Sequence, residues 1–171
     1  MKIFYALALL TLIACNTNKE NTGQTESTAV PGQAYTPAQL NERIVALESS
    51  LEEPMLKAEA EIKVRGDRGN VEGVKQSAKA MEDSIQLRID DLKKLSPVGV
   101  GGEDFKLVAT RYFDYMKEIY TTYRQLAESK SEKEQNEKAK HMTDLMNAQP
   151  GVLNNLRAAQ QKYAADNGFA Y

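Results

Sequence analysis

The sequence feature that most constrains the fold is a repeat of apolar side chains at alternating spacings of four and three residues. It is clearest between residues 105 and 126, where the repeat comprises Phe105, Ala109, Tyr112, Met116, Ile119, Tyr123 and Leu126. On an α-helix this spacing places all of these side chains along one face. Such a face needs neighbours that bury it, so the segment predicts a helix within a bundle.

Three further segments show the same spacing, and residues that start or stop helices bound them. Thr36-Pro37-Ala38-Gln39 has the elements of a capping box, and Gly66–Asn70 has the composition of a turn. Ser96-Pro97 stops the second segment, and a further capping box at Ser131–Glu134 opens the fourth. No stretch alternates as a strand does. The sequence therefore predicts an all-α fold, an antiparallel up-down four-helix bundle over residues 36–171.

Two prolines interrupt the helical patterns, Pro54 in the first segment and Pro150 in the fourth. Proline lacks the N–H that an inner helical turn uses, so it kinks or ends a helix. The apolar register nevertheless continues past both positions, which favours one bent helix in each case. The alternative for the fourth segment is a break at residues 149–151 followed by a separate terminal helix.

The run Val98–Gly102 is the most glycine-dense part of the chain and leads into the third helix. A glycine-rich loop before a helix is typical of phosphate sites. Here the next residues are Glu103 and Asp104, no strand precedes the loop, and the Gly-Lys-Ser/Thr ending is missing. The run is therefore interpreted as a structural loop.

The N-terminus has the pattern of an export signal. Lys2 precedes an apolar run, Ile3–Ile13, of about a dozen residues, which is shorter than the roughly 20 that a spanning helix needs. The run ends at Leu12-Ile13-Ala14-Cys15, which resembles the bacterial lipobox. In that family the Cys thiol receives a diacylglycerol, cleavage falls before the Cys, and the new amine is acylated. The resemblance implies a signal peptide at residues 1–14 and a membrane anchor on Cys15; the alternative is an ordinary signal peptide with an incidental Cys.

The stretch after Cys15 is polar, from Asn16 to Ala34, and cannot bury enough apolar surface to order itself. Residues 15–35 are therefore predicted to be the lipidated Cys and a flexible linker. Asn16 takes the place where enteric lipoproteins retained at the inner membrane have Asp. This favours the outer membrane, on its periplasmic face or at the cell surface.

Four runs in the body carry a second resemblance: Asn41–Val45, Ile89–Pro97, Tyr112–Tyr115 and Ala159–Ala164. They are similar to a family of uncharacterised helical surface lipoproteins of Gram-negative bacteria, over most of residues 40–169. The resemblance implies location and architecture, and it carries no activity.

The sequence contains few of the residue patterns that support catalysis. The chain has one His and one Cys, and it lacks the Glu-x-x-His, Cys-x-x-Cys-His and Gly-x-Ser-x-Gly motifs. Glu137 and His141 are four residues apart, but two ligands make a weak metal site and a surface ion pair is favoured. We therefore expect no enzyme, no metal and no cofactor besides the acyl chains. The net charge of −2 gives no support for nucleic-acid binding.

The predicted function is a membrane-anchored bundle that binds or scaffolds an envelope protein. Tyr115 and Tyr120 lie off the apolar face of the third helix and are the candidate partner-binding residues, because tyrosine offers an apolar ring with a polar tip. The alternative is a carrier of a small apolar ligand or cofactor such as haem, in a cavity lined by Met81, Met116 and Met146. The sequence leaves the oligomeric state open.

Overall fold

A computed structural model describes residues 35–170. They form four helices and no strand: α1 (Pro37–Asp67), α2 (Val71–Lys94), α3 (Gly102–Glu128) and α4 (Glu132–Asn167). Consecutive helices pack on one another, and α4 also meets α1. The predicted four-helix bundle is therefore confirmed, whereas the predicted signal peptide, Cys15 and linker lie outside the described residues. None of these four helices combines the length and the apolar character that crossing a bilayer requires.

Both predicted capping boxes are formed. The Thr36 hydroxyl accepts from the Gln39 amide at 3.2 Å, and the Gln39 side chain accepts from the Thr36 amide at 2.9 Å. In the second box the Ser131 hydroxyl accepts from the Glu134 amide at 3.2 Å, and the Glu134 carboxylate accepts from the Ser131 amide at 3.3 Å. These reciprocal bonds satisfy amides that would otherwise lack partners at a helix start, and they fix where α1 and α4 begin.

The helices α1 and α4 run without interruption through Pro54 and Pro150. The predicted continuity is confirmed in both, and the alternative of a separate terminal helix is wrong. A proline removes one amide donor from the turn before it. Just over one turn before Pro150, the Tyr115 hydroxyl of α3 donates to the carbonyl of Leu145 in α4 at 2.8 Å. A side chain of α3 therefore bonds to the α4 backbone close to this proline.

The apolar face of α3 is wider than the sequence repeat indicates. Phe113 and Tyr120, which lie off that repeat, are each only 1% exposed, whereas Tyr112 and Tyr123 on it are half-buried. The cause is that α3 is covered from more than one side: Tyr120 reaches the carbonyl of Met55 in α1, at 3.5 Å. Tyr120, which the sequence places off the apolar face as a candidate partner-binding residue, is therefore a core residue.

The loop between α2 and α3 is held by the last turn of α4. Asn167 accepts from the Val100 amide and donates to the Val100 carbonyl, both at 2.9 Å, and the Tyr163 hydroxyl donates to the Val98 carbonyl at 2.7 Å. Gly99 adopts a left-handed φ of +72°, which a residue with a Cβ rarely adopts. These bonds use backbone groups of Val98 and Val100 within the protein, in keeping with the interpretation as a structural loop.

Candidate binding groove between α1 and α4

The helices α1 and α4 touch less than any sequential pair in the bundle. They are joined near the start of α1, where the Gln160 amide donates to Asn41 at 2.8 Å and Arg157 lies close enough to interact with Glu48. Within residues 35–170 no side-chain hydrogen bond joins them further along. The two helices therefore border a groove above α3, which we call the α1–α4 groove.

Tyrosines of α3 form the floor of this groove. Tyr112, Tyr115 and Tyr123 are half-buried, and the ring of Tyr123 lies 6.2 Å from that of the buried Tyr120, tilted by 46°. Burial raises the pKa of the Tyr112 hydroxyl, and it raises the pKa of Tyr115 to about 12. The floor thus presents neutral rings with hydroxyl tips, which can contact apolar groups and donate hydrogen bonds.

Three carboxylates of α1 form one wall. Glu48, Glu52 and Glu59 are spaced by four and seven residues, so they lie on one side of the helix. Each interacts with the tyrosine floor: Glu48 and Glu52 act on Tyr112, and Glu59 acts on Tyr120 and Tyr123. This wall is therefore acidic, with Glu52 exposed and Glu48 and Glu59 half-buried.

Glu59 differs from its neighbours because one of its carboxylate oxygens has no partner. Its Oε1 is buried and forms no hydrogen bond with the described residues. Burial raises the pKa of Glu59 to about 7. Burial also raises the pKa of Glu48, although the Tyr112 hydroxyl and Arg157 act in the opposite direction. A buried acceptor without a donor costs free energy that a bound donor would recover.

The facing wall comes from α4 and is only partly covered. Met146, Leu153, Arg157 and Gln160 are spaced by seven, four and three residues, so they share the face that reaches α1 through Arg157 and Gln160. Met146 and Leu153 remain half-buried. Across the groove Leu56 of α1 is 50% exposed. Apolar side chains on both walls therefore remain partly accessible.

The structure separates the residues that the sequence grouped as candidate sites. Tyr115 borders the groove, whereas Tyr120 is buried beneath it. Met81 and Met116 are core residues, and Met146 is half-buried on α4. Cys15 and the preceding Leu12, Ile13 and Ala14 lie outside the described residues.

The predicted pairing of His141 with Glu137 is wrong. His141 Nε2 lies 3.0 Å from Oε1 of Glu118 in α3. Glu137 Oε1 lies 3.9 Å from Nζ of Lys133 in its own helix. His141 therefore ties α4 to α3. Within residues 35–170 no three metal-ligating side chains come together.

Sequence reasoning missed Glu48 and Glu59. Each follows directly after an apolar position of the α1 repeat, Leu47 and Ala58 respectively. That position is at the edge of a buried face, where a carboxylate loses part of its hydration. A carboxylate next to a buried position of an amphipathic helix is therefore a signal that the sequence offers.

Comparison with models of protein families, with curated proteins and with solved structures finds no match to this chain. The residues of the groove are therefore the ground for proposing a function. Neutral tyrosines, carboxylates and exposed apolar side chains can together hold a ligand by ring contact, ion pairing and burial.

The unpaired carboxyl makes stability depend on pH. Unfolded, Glu59 releases its proton near the ordinary value of 4.5, but the folded protein retains that proton up to about pH 7. The free energy of unfolding therefore falls as the pH rises from 4.5 through 7. The full shift would correspond to about 3.4 kcal/mol, and because part of the side chain is solvated we expect about 1 to 2 kcal/mol. Glu59→Gln should remove this loss, as measured by urea unfolding at pH 5 and pH 8.5.

The matched control is Glu53→Gln, which changes an exposed carboxylate of the same helix. It should leave the difference between the two pH values as it is in the unaltered protein. An equal effect of both substitutions would show that the net charge of α1, and not the buried Glu59, sets the pH dependence.

Proposed function

We propose that this chain is a lipid-anchored protein of the bacterial envelope whose helical bundle binds a partner through the α1–α4 groove. Cys15 carries the acyl chains, and residues 16–34 link it to the bundle. The outer membrane is the expected site, since Asn16 follows the Cys.

The anchor part of the proposal is supported by the sequence Leu12-Ile13-Ala14-Cys15 and by its resemblance to a lipobox. Each buried methylene of an acyl chain contributes about 0.8 kcal/mol, so several chains together hold a protein stably at a bilayer. The similarity of the body to helical surface lipoproteins is in keeping with this location.

Partner binding is supported by the composition of the α1–α4 groove. Glu59, which has a buried carboxylate oxygen without a hydrogen-bond partner, lies beside the aromatic floor, and apolar side chains on both walls are partly accessible. Tyrosine and methionine are enriched in protein interfaces, where they bury large areas. A partner that covers the groove would bury Leu56, Met146 and Leu153 and satisfy Glu59.

One experiment tests both parts. A photo-crosslinking amino acid replaces Leu56 in the groove, or Leu87 on α2 as a control that is 61% exposed, in the organism that makes the protein. After irradiation, membrane and soluble fractions are separated. We expect a crosslinked partner in the membrane fraction from position 56 and not from position 87. Cys15→Ala should move the protein to the soluble fraction or leave it unprocessed.

Two results would contradict the proposal. Identical products from positions 56 and 87 would show that the groove is not selective. A processed Cys15→Ala protein that stays in the membrane fraction would show that the Cys is not the anchor. If the crosslinked species proved to be a small apolar molecule, the protein would instead be a carrier.

A further inference from the structure

We propose that the occupant of the α1–α4 groove is a basic amphipathic helix of a partner protein. This inference rests on the proposed function, because it specifies the chemistry of the partner that the groove binds. The charge, the spacing and the exposed apolar side chains of the groove each point to such a helix.

The charge of the groove selects a basic partner. Its α1 wall carries Glu48, Glu52 and Glu59, and the base that interacts with them is Arg157, close to Glu48. Lys63, a further base on α1, pairs with Asp67 at 2.8 Å. The acidic groups near Glu52 and Glu59 are thus left for a cation from outside. A lysine or arginine beside Glu59 would pair with its half-buried carboxylate and lie against the ring of Tyr123.

The spacing of the groove suits a helix. Glu48 and Glu59 are three turns apart on α1, which corresponds to roughly 16 Å along its axis. Carboxylates that recur at spacings of four and seven residues match bases that recur at the same spacings on a neighbouring helix. An extended peptide, with a period of two residues, would meet these groups out of phase.

The apolar side chains complete the match. Leu56 on one wall and Met146 and Leu153 on the other are exposed or half-buried, although each lies on a helix that packs elsewhere in the bundle. A helix laid between them would bury both walls at once, in the mode by which amphipathic helices enter apolar grooves. It would act as a fifth helix between α1 and α4, which touch little there.

The test uses the full chain in a non-ionic detergent at pH 8.5, above the pKa of about 7 that burial gives Glu59, and three labelled peptides of about 18 residues. The first contains Leu and Lys at helical spacing, the second replaces Lys by Glu, and the third is a scrambled form of the first. Fluorescence anisotropy measures their binding. We expect the Leu/Lys helix to bind about tenfold or more tightly than either of the others. Raising the salt concentration from about 0.05 to about 0.5 M should weaken the binding of the Leu/Lys helix.

Variants locate the binding. Glu52→Gln and Glu59→Gln should each weaken binding of the Leu/Lys helix by about threefold or more. Glu53→Gln changes a carboxylate that does not share the side of α1 with Glu48, Glu52 and Glu59, and it should change binding by less than about twofold. Leu56→Ser should weaken it as well.

Equal binding of the scrambled peptide, or equal effects of Glu53→Gln and Glu59→Gln, would overturn the proposal. Absence of peptide binding together with a partner crosslinked at position 56 would overturn the basic helix while the binding function stands. If sedimentation showed that the protein self-associates and that Leu56→Ser abolishes this, the occupant would be a second copy and the proposal would be wrong.

Discussion

Tyr120→Ala is expected to destabilise the bundle by about 3 to 5 kcal/mol, a large share of the roughly 5 to 15 kcal/mol by which domains are usually stable. Tyr120 is 1% exposed and is among the largest fully buried side chains of the described residues. Removing its ring leaves a cavity between α3 and α1 that neighbouring helices fill only in part. Urea unfolding followed by circular dichroism measures the loss.

Two comparisons show which part of the Tyr120 side chain matters. Its hydroxyl lies 3.5 Å from the Met55 carbonyl, at the outer limit of a hydrogen bond, so Tyr120→Phe should cost less than about 1 kcal/mol. Tyr115→Ala removes a half-buried ring and a 2.8 Å hydrogen bond to Leu145, and should cost about 2 kcal/mol. A Tyr120→Ala protein as stable as Tyr115→Ala would mean that Tyr120 does not belong to the core.

Gly99→Ala is expected to cost about 3 kcal/mol. Its φ of +72° disfavours any residue with a Cβ by about 1 to 2 kcal/mol. The added Cβ would also lie against the Asn167 side chain and 2.7 Å from Cγ of Pro37, which is too close for either to remain in place. The Asn167 amide would have to leave Val100, and the hydrogen bonds that hold the loop would be lost. Thermal unfolding by calorimetry measures the effect.

Gly101→Ala is the matched control for this substitution. Gly101 has nearly the same φ, +73°, but an added Cβ there would meet nothing closer than 3.9 Å. Its cost should therefore be that of the backbone alone, about 1 to 2 kcal/mol. Equal losses for Gly99→Ala and Gly101→Ala would show that contact with Asn167 contributes nothing.

The helices could be predicted from the sequence because their signals are local. Capping boxes at Thr36 and Ser131 and the three-and-four spacing of apolar residues depend on neighbours within a few positions. The continuity through Pro54 and Pro150 could be predicted for a related reason: a repeat that stays in register on both sides of a proline indicates a single helix. Such signals need no knowledge of which helices meet.

The candidate site could not be predicted because it depends on which helices meet. Tyr120 lies off the main apolar repeat of α3, and only the packing of α1 against α3 shows that it is buried. The partner of His141 is 23 positions away in α3, not four positions away in its own helix. The groove arises because α1 and α4 touch less than the sequential helix pairs do, a property of the assembled bundle and not of any one segment.

The contact between the last turn of α4 and the α2–α3 loop sets the order in which the fold can be completed. Tyr163 and Asn167 follow this loop by more than 60 positions, yet they supply the partners of Val98 and Val100. Chains are made from the N-terminus, so the loop waits without those partners until α4 has been synthesised. The loop between α2 and α3 is therefore fixed only after the last turn of α4 has formed.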